Sequence, residues 1–103
     1  MPSATRIGTN VFKVEAVPTL VDEKGNEAWG VLRSADDTMI ISKAASPSRQ
    51  KESFLHEVLH GVGFSMGDDI KEALVNRLSL GLYRWMLDNP DTVRWLLKED
   101  TGS

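Results

Sequence analysis

The chain has two histidines, and they stand four residues apart in His56-Glu57-Val58-Leu59-His60, with a glutamate directly after the first. At 3.6 residues per turn, this spacing stacks both imidazoles on one face of a helix, where they reach a single Zn²⁺. In such a constellation the glutamate is not a ligand. It is the general base that takes a proton from the metal-bound water, and the chemistry is hydrolysis. The residue types therefore predict a Zn²⁺ site at His56 and His60 served by Glu57.

Two histidines leave a catalytic site incomplete, because such a site takes three protein ligands and keeps one position for water. In the longer H-E-x-x-H-x-x-G-x-x-H arrangement the third ligand is the final histidine. Gly63 matches its glycine, but the final position is Met66, a poor ligand for Zn²⁺. The chain has no cysteine and no further histidine, so the remaining ligand must be a carboxylate. Glu72 is the first choice, twelve residues after His60 and in the first turn of the next helix, with Asp68 and Asp69 as alternatives. The competing role for Glu72 is a capping box with Asp69. Asn76, Ser79 and Tyr83 follow Glu72 within about 40° on a helical wheel, a polar stripe on an otherwise apolar helix. Asn76 is a candidate to orient a ligand, and Tyr83 to donate to a tetrahedral oxyanion, although a core tyrosine fits the same pattern.

The elements that must position these residues divide the chain in two. From about residue 6 to 43 the pattern is extended: Val11 to Val17 alternates with Phe12, Val14 and Ala16 on one side, and Pro18 marks its margin. Asp22 to Asn26 is a turn by composition, and Ala28 to Ser34 resumes the extended pattern. Asp36-Asp37 turns into Thr38-Met39-Ile40-Ile41-Ser42. Three strands with short connections predict a small antiparallel sheet.

From about residue 47 to 98 the pattern is helical. Ser46-Pro47 is a cap followed by a proline at the first helical position. Phe54, Leu55, Val58, Leu59 and Val62 form an apolar stripe centred near 230° on a wheel that sets His56 at zero, with His60 at about 40° and Glu57 at about 100°. The motif is thus expected on the face turned away from the packing stripe. Gly61, Gly63 and Gly67 are expected to loosen and end this helix, and a Gly-rich connection lets the next one fold back beside it. That second helix runs to about Asp88, with Ile70, Ala73, Leu74, Leu78, Leu82, Trp85 and Met86 as apolar members. Asn89-Pro90 opens a short last helix containing Val93, Trp95, Leu96 and Leu97. The expected fold is α+β: a three-stranded antiparallel sheet, an active-site helix, a second long helix and a short C-terminal helix.

With 103 residues, 41% of them hydrophobic, the chain suits one domain with one core. A net charge of −3 and the lack of a Lys/Arg-rich run exclude the usual electrostatic footprint for nucleic acid or an anionic membrane. No apolar leader follows Met1, no run is long enough to span a bilayer, and the lack of cysteine suits a reducing compartment, so a cytoplasmic protein is expected. So small a core leaves either a monomer or a homodimer open. Trp29, Trp85 and Trp95 read as core or interface anchors.

His56-Glu57-Val58-Leu59-His60 followed by Glu72-Ala73-Leu74-Val75-Asn76, with Glu and Asn four apart, resembles the core of the ImmA/IrrE-type metallopeptidases. It is similar also to their compact phage- or prophage-encoded relatives and to the single-domain minigluzincins, a likeness that extends over most of the chain. The resemblance implies a gluzincin-like zinc site with His56, His60 and Glu72 as ligands, Glu57 as base and a protein or peptide as substrate. The larger regulatory domain that many family members carry is not expected in a chain of this length, so the resemblance does not imply cleavage of a specific repressor. Substrate is expected to add as a strand beside Thr38 to Ser42. Two other readings compete: a non-catalytic zinc-stabilised binding module, and a latent peptidase whose Trp95-Leu96-Leu97 segment or tail lies across the cleft.

Overall fold

β-Branched and aromatic residues at alternating positions, then helical periodicity after Pro47, give four strands and three helices. They are β1 (Ala4–Ile7), β2 (Asn10–Val17), β3 (Gly30–Arg33), β4 (Thr38–Ser42), α1 (Pro47–Ser65), α2 (Glu72–Asp88) and α3 (Pro90–Leu97). The computed structural model describes residues 1–99, and the polar tail expected at Asp100 to Ser103 lies outside them. No helix among the described residues is long and apolar enough to cross a membrane.

The α+β class holds, but the three-stranded antiparallel sheet does not. The sheet has four strands in the order β1-β2-β4-β3 and is mixed, with β1–β2 and β3–β4 antiparallel and β2–β4 parallel. The additional strand, β1, is joined to β2 by the two-residue loop Gly8-Thr9, in which Gly8 takes φ 61° as a tight hairpin requires. The parallel pairing arises after β2. Asp22 does close a local turn, its carboxylate accepting from the backbone N–H groups of Lys24 and Asn26 at 2.9 Å each. Yet the segment from 18 to 29 is long enough to carry the chain one strand position further out. The hairpin through Asp37 (φ 51°) then brings β4 back between β2 and β3.

β4 is therefore central and β3 is an edge. Met39 and Ile41 are fully buried, as is Ser42, and Thr38 is nearly so. A strand flanked on both sides is buried along most of its length, and in Thr38-Met39-Ile40-Ile41-Ser42 only Ile40 is partly exposed. Both hydrogen-bonding edges of β4 are occupied, so the substrate strand expected beside Thr38 to Ser42 has no place there.

The core consists of Ile7, Phe12, Val14, Met39 and Ile41, with Leu32 from β3 and Phe54 and Val58 from α1 packed against it. Ala16, expected on the same side as Phe12 and Val14, is exposed. α1 crosses this face closely because Gly61 has no side chain: a Cβ there would lie 2.9 Å from Ile7 Cδ1 and 3.2 Å from Leu32 Cδ2. Gly61 and Gly63 thus sit inside α1 rather than ending it. The helix stops beyond Met66, where Gly67 takes φ 80°.

Ser46 caps α1 as expected, accepting from the Arg49 N–H at 3.3 Å. α2 is different: its N-cap is Lys71, with no side-chain cap, so the capping box of Asp69 and Glu72 does not form. α2 packs on α1 through Val75 and Ser79, both buried, while Leu74, Leu78, Leu82 and Trp85 are exposed. α3 packs on α2 and on no other element, with Trp95, Leu96 and Leu97 outward. Nothing in that placement covers the motif, so the plug expected of a latent enzyme is not formed by the described residues of α3.

Candidate metal centre

His56 and His60 project from consecutive turns of α1, and Glu72 from the first residue of α2. The three side chains meet. Glu72 Oε1 lies 2.7 Å from His56 Nε2, Glu72 Oε2 lies 2.7 Å from His60 Nε2, and the two Nε2 atoms are 3.2 Å apart. Two imidazole nitrogens and a carboxylate present lone pairs to one small volume, an arrangement that repels itself unless a proton or metal ion is shared. A tetrahedral Zn²⁺ with bonds of about 2.1 Å separates its ligand atoms by about 3.4 Å. The nitrogen pair is already near that spacing, and the carboxylate needs to withdraw by less than about 1 Å. His56, His60 and Glu72 are thus close enough together to bind a metal ion.

The choice of Glu72 follows from its helix. With no capping duty, its carboxylate is free to face α1, whereas Asp68 and Asp69 lie in the connection and join no such cluster among the described residues.

The motif face is not the free face that the apolar stripe suggested. His56 is 9% exposed and Glu57 7%, less than any residue of the stripe, because β3 covers one flank and α2 the other. The Glu57 carboxyl is consequently raised from its usual 4.5 to about 7, first by burial and second by the charge of Glu72. A carboxyl near neutrality in a cleft is matched to moving a proton.

Gly30 is the site residue that sequence reasoning missed. A Cβ there would stand 3.3 Å from both Cγ and Oε2 of Glu57, so the edge strand lies directly against the carboxyl. A glycine at the start of a predicted strand was the available signal, since such glycines mark close approaches.

Tyr83 and Asn76 are not placed as expected. Eleven residues at about 1.5 Å rise put Tyr83 roughly 16 Å along the axis from Glu72, and it lines neither cavity beside the cluster. This placement does not bring Tyr83 to the cluster. Asn76, one turn after Glu72, lines a cavity with His56 and Glu72, but among the described residues its side chain makes no hydrogen bond to a ligand.

Two open cavities of about 760 and 720 Å³ flank the cluster, and both are bordered by Gly30, Glu57 and Glu72. No protein-family model, curated protein or solved structure matches the chain, so the geometry of the site carries the functional argument.

Proposed function

We propose that this protein is a zinc-dependent metallopeptidase of gluzincin type, similar in its site residues to compact ImmA/IrrE-like enzymes and acting on a protein or peptide substrate. The observation that carries the reading is the convergence of His56, His60 and Glu72 beside a buried carboxyl, Glu57, that exchanges its proton near neutrality. Zn²⁺ fits a donor set of two imidazoles and a carboxylate, and when bound it lowers the pKa of a water towards ~7 and polarises a carbonyl. Glu57 takes a proton from the attacking water and holds it for the leaving amine. Gly30, with no side chain, leaves the carboxyl room and lets a substrate backbone approach. β3 provides the sheet edge on the cleft side, and an extended peptide adding there passes directly over Glu57.

A buried carboxyl adjoining the metal site also separates this reading from a purely structural zinc module. Desolvating Glu57 destabilises the fold and contributes nothing to metal ligation, whereas a base needs that environment.

The test is metal content and proteolysis together. Purified protein is expected to hold one Zn²⁺ per chain, and His56→Ala or Glu72→Ala to hold substoichiometric zinc under the same dialysis. Zinc-loaded protein should generate new termini from an unstructured peptide library, read by mass spectrometry, and His56→Ala should not. Full zinc with no cleavage would reject the peptidase reading. Gly30→Ala offers a finer check: the new methyl crowds Ile41 Cδ1 at 3.1 Å and Glu57 at 3.3 Å without touching a ligand, so zinc should be retained while cleavage falls on the order of tenfold.

A further inference from the structure

The two cavities beside the cluster differ in chemistry, and β3 runs from one to the other. Ala28 and Trp29 line the first, Gly30 lies at their junction against Glu57, and Val31 and Leu32 line the second. Beyond Val31 and Leu32 the second cavity is of mixed character, with Ile7, Phe12 and Phe64 beside Asn10, Ser34 and Asp69, and among the described residues it holds no lysine or arginine. Beyond Trp29 the first is walled by three arginines: Arg49 from the first turn of α1, and Arg77 and Arg84 two turns apart on α2.

These arginines are poorly matched by neighbouring carboxylates. Arg49 is 4.0 Å from Glu52, and among the described residues neither Arg77 nor Arg84 has a carboxylate within ion-pair distance. The other two acids bordering the cavity are Glu57 and Glu72, one buried and the other turned to the histidines. The chain as a whole carries 15 acidic and 12 basic side chains, so three guanidinium groups around one cleft run against its overall charge. Guanidinium groups with no internal partner are suited to a carboxylate or phosphate brought by a ligand.

We infer that the cavity lined by Arg49, Arg77 and Arg84 is a subsite for an acidic side chain of the substrate, so that the preferred peptide has an acidic residue on the Trp29 side of the scissile bond. As a statement about substrate, this rests on the peptidase reading; as a statement about binding, it does not.

The experiment therefore has two readouts on matched peptides that place Glu, Gln or Lys at each flanking position of a fixed sequence. Zinc-loaded Glu57→Gln reports binding by fluorescence anisotropy, and the zinc-loaded wild type reports cleavage. The Glu peptide is expected to bind about five- to tenfold more tightly than its Gln counterpart at low salt, and the difference should shrink as salt is added. R77E/R84E introduced into each background should abolish or reverse the preference, while R77K/R84K, which keeps the charge, should retain most of it. Zinc content and circular dichroism identify a variant that has failed to fold, and in that case R77K/R84K together with salt dependence decides. Acidic preference in binding with no hydrolysis by wild type would uphold the subsite and reject the peptidase. Hydrolysis with no preference between Glu and Gln peptides would uphold the peptidase and overturn the subsite.

Discussion

Glu57→Gln is expected to bind zinc like the wild type and to lose about 10²- to 10⁴-fold in peptide hydrolysis, the range for removal of a positioned general base. The substitution keeps the shape of the side chain and leaves His56, His60 and Glu72 untouched. It removes only the oxygen that accepts the proton. Its readouts are zinc per chain after dialysis and the rate of appearance of new peptide termini. Equal cleavage by both proteins would mean that another group is the base or that a contaminating protease is at work. Loss of zinc along with activity would mean that Glu57 supports the metal site rather than the proton transfer. The expected size separates this effect from that of Gly30→Ala, which displaces the carboxyl by a few tenths of an ångström without deleting it.

The residues of the site were legible in the sequence because helical spacing is local. His56 and His60 must share a face if the segment is a helix, and Ser46-Pro47 announces that helix. A carboxylate ligand was reachable by elimination, since the chain offers no cysteine and no third histidine, and the place of Glu72 in the first turn of the next helix favoured it over Asp68 and Asp69. What covers the motif was not legible, because amphipathicity says that a face is apolar and not which neighbour lies against it. On α2 the apolar members read from the sequence include Leu74, Leu78, Leu82 and Trp85, all of which are exposed. The fold instead buries Val75 and Ser79, the face that carries Glu72 to α1. The sheet shows the same limit. Asp22 to Asn26 is a turn, as composition implied, but a local turn does not fix which strand pairs next. β2 and β4 pair in parallel with β3 outside them. The one local clue was β4 itself, whose Met39-Ile40-Ile41 run lacks the alternation of a half-buried strand and so marks a central one. Moving the exposed edge from β4 to β3 also moves the expected substrate strand, and under the proposed function this shift would bring a peptide over Gly30 and Glu57.

In the metal-free protein, Glu57→Gln is expected to be stabilising in a pH-dependent way. The Glu57 carboxyl is raised to about 7 in the fold and returns to about 4.5 when unfolded. Below about pH 4.5 both states are protonated and Glu57 imposes no penalty. Between about 4.5 and 7 the folded state keeps a proton that the unfolded state has lost, so stability falls as pH rises; above about 7 both are ionised and the loss is constant. A shift of this size corresponds to at most about 3 kcal/mol. Glutamine stays neutral throughout and escapes this decline. Urea denaturation of both proteins in EDTA at pH 4, 6 and 8 should show the variant's advantage growing across that window and then levelling, on top of any pH-independent offset from the amide. The titrating groups remote from Glu57 are common to both proteins and cancel in the difference, which leaves Glu57 together with its coupling to Glu72. A difference that stays flat from pH 4 to 8 would mean that Glu57 is hydrated in the metal-free protein and not held against β3. Repeating the series with saturating zinc should narrow the difference above pH 7, because a dication at His56, His60 and Glu72 offsets the charge of Glu72 and favours the ionised form of Glu57.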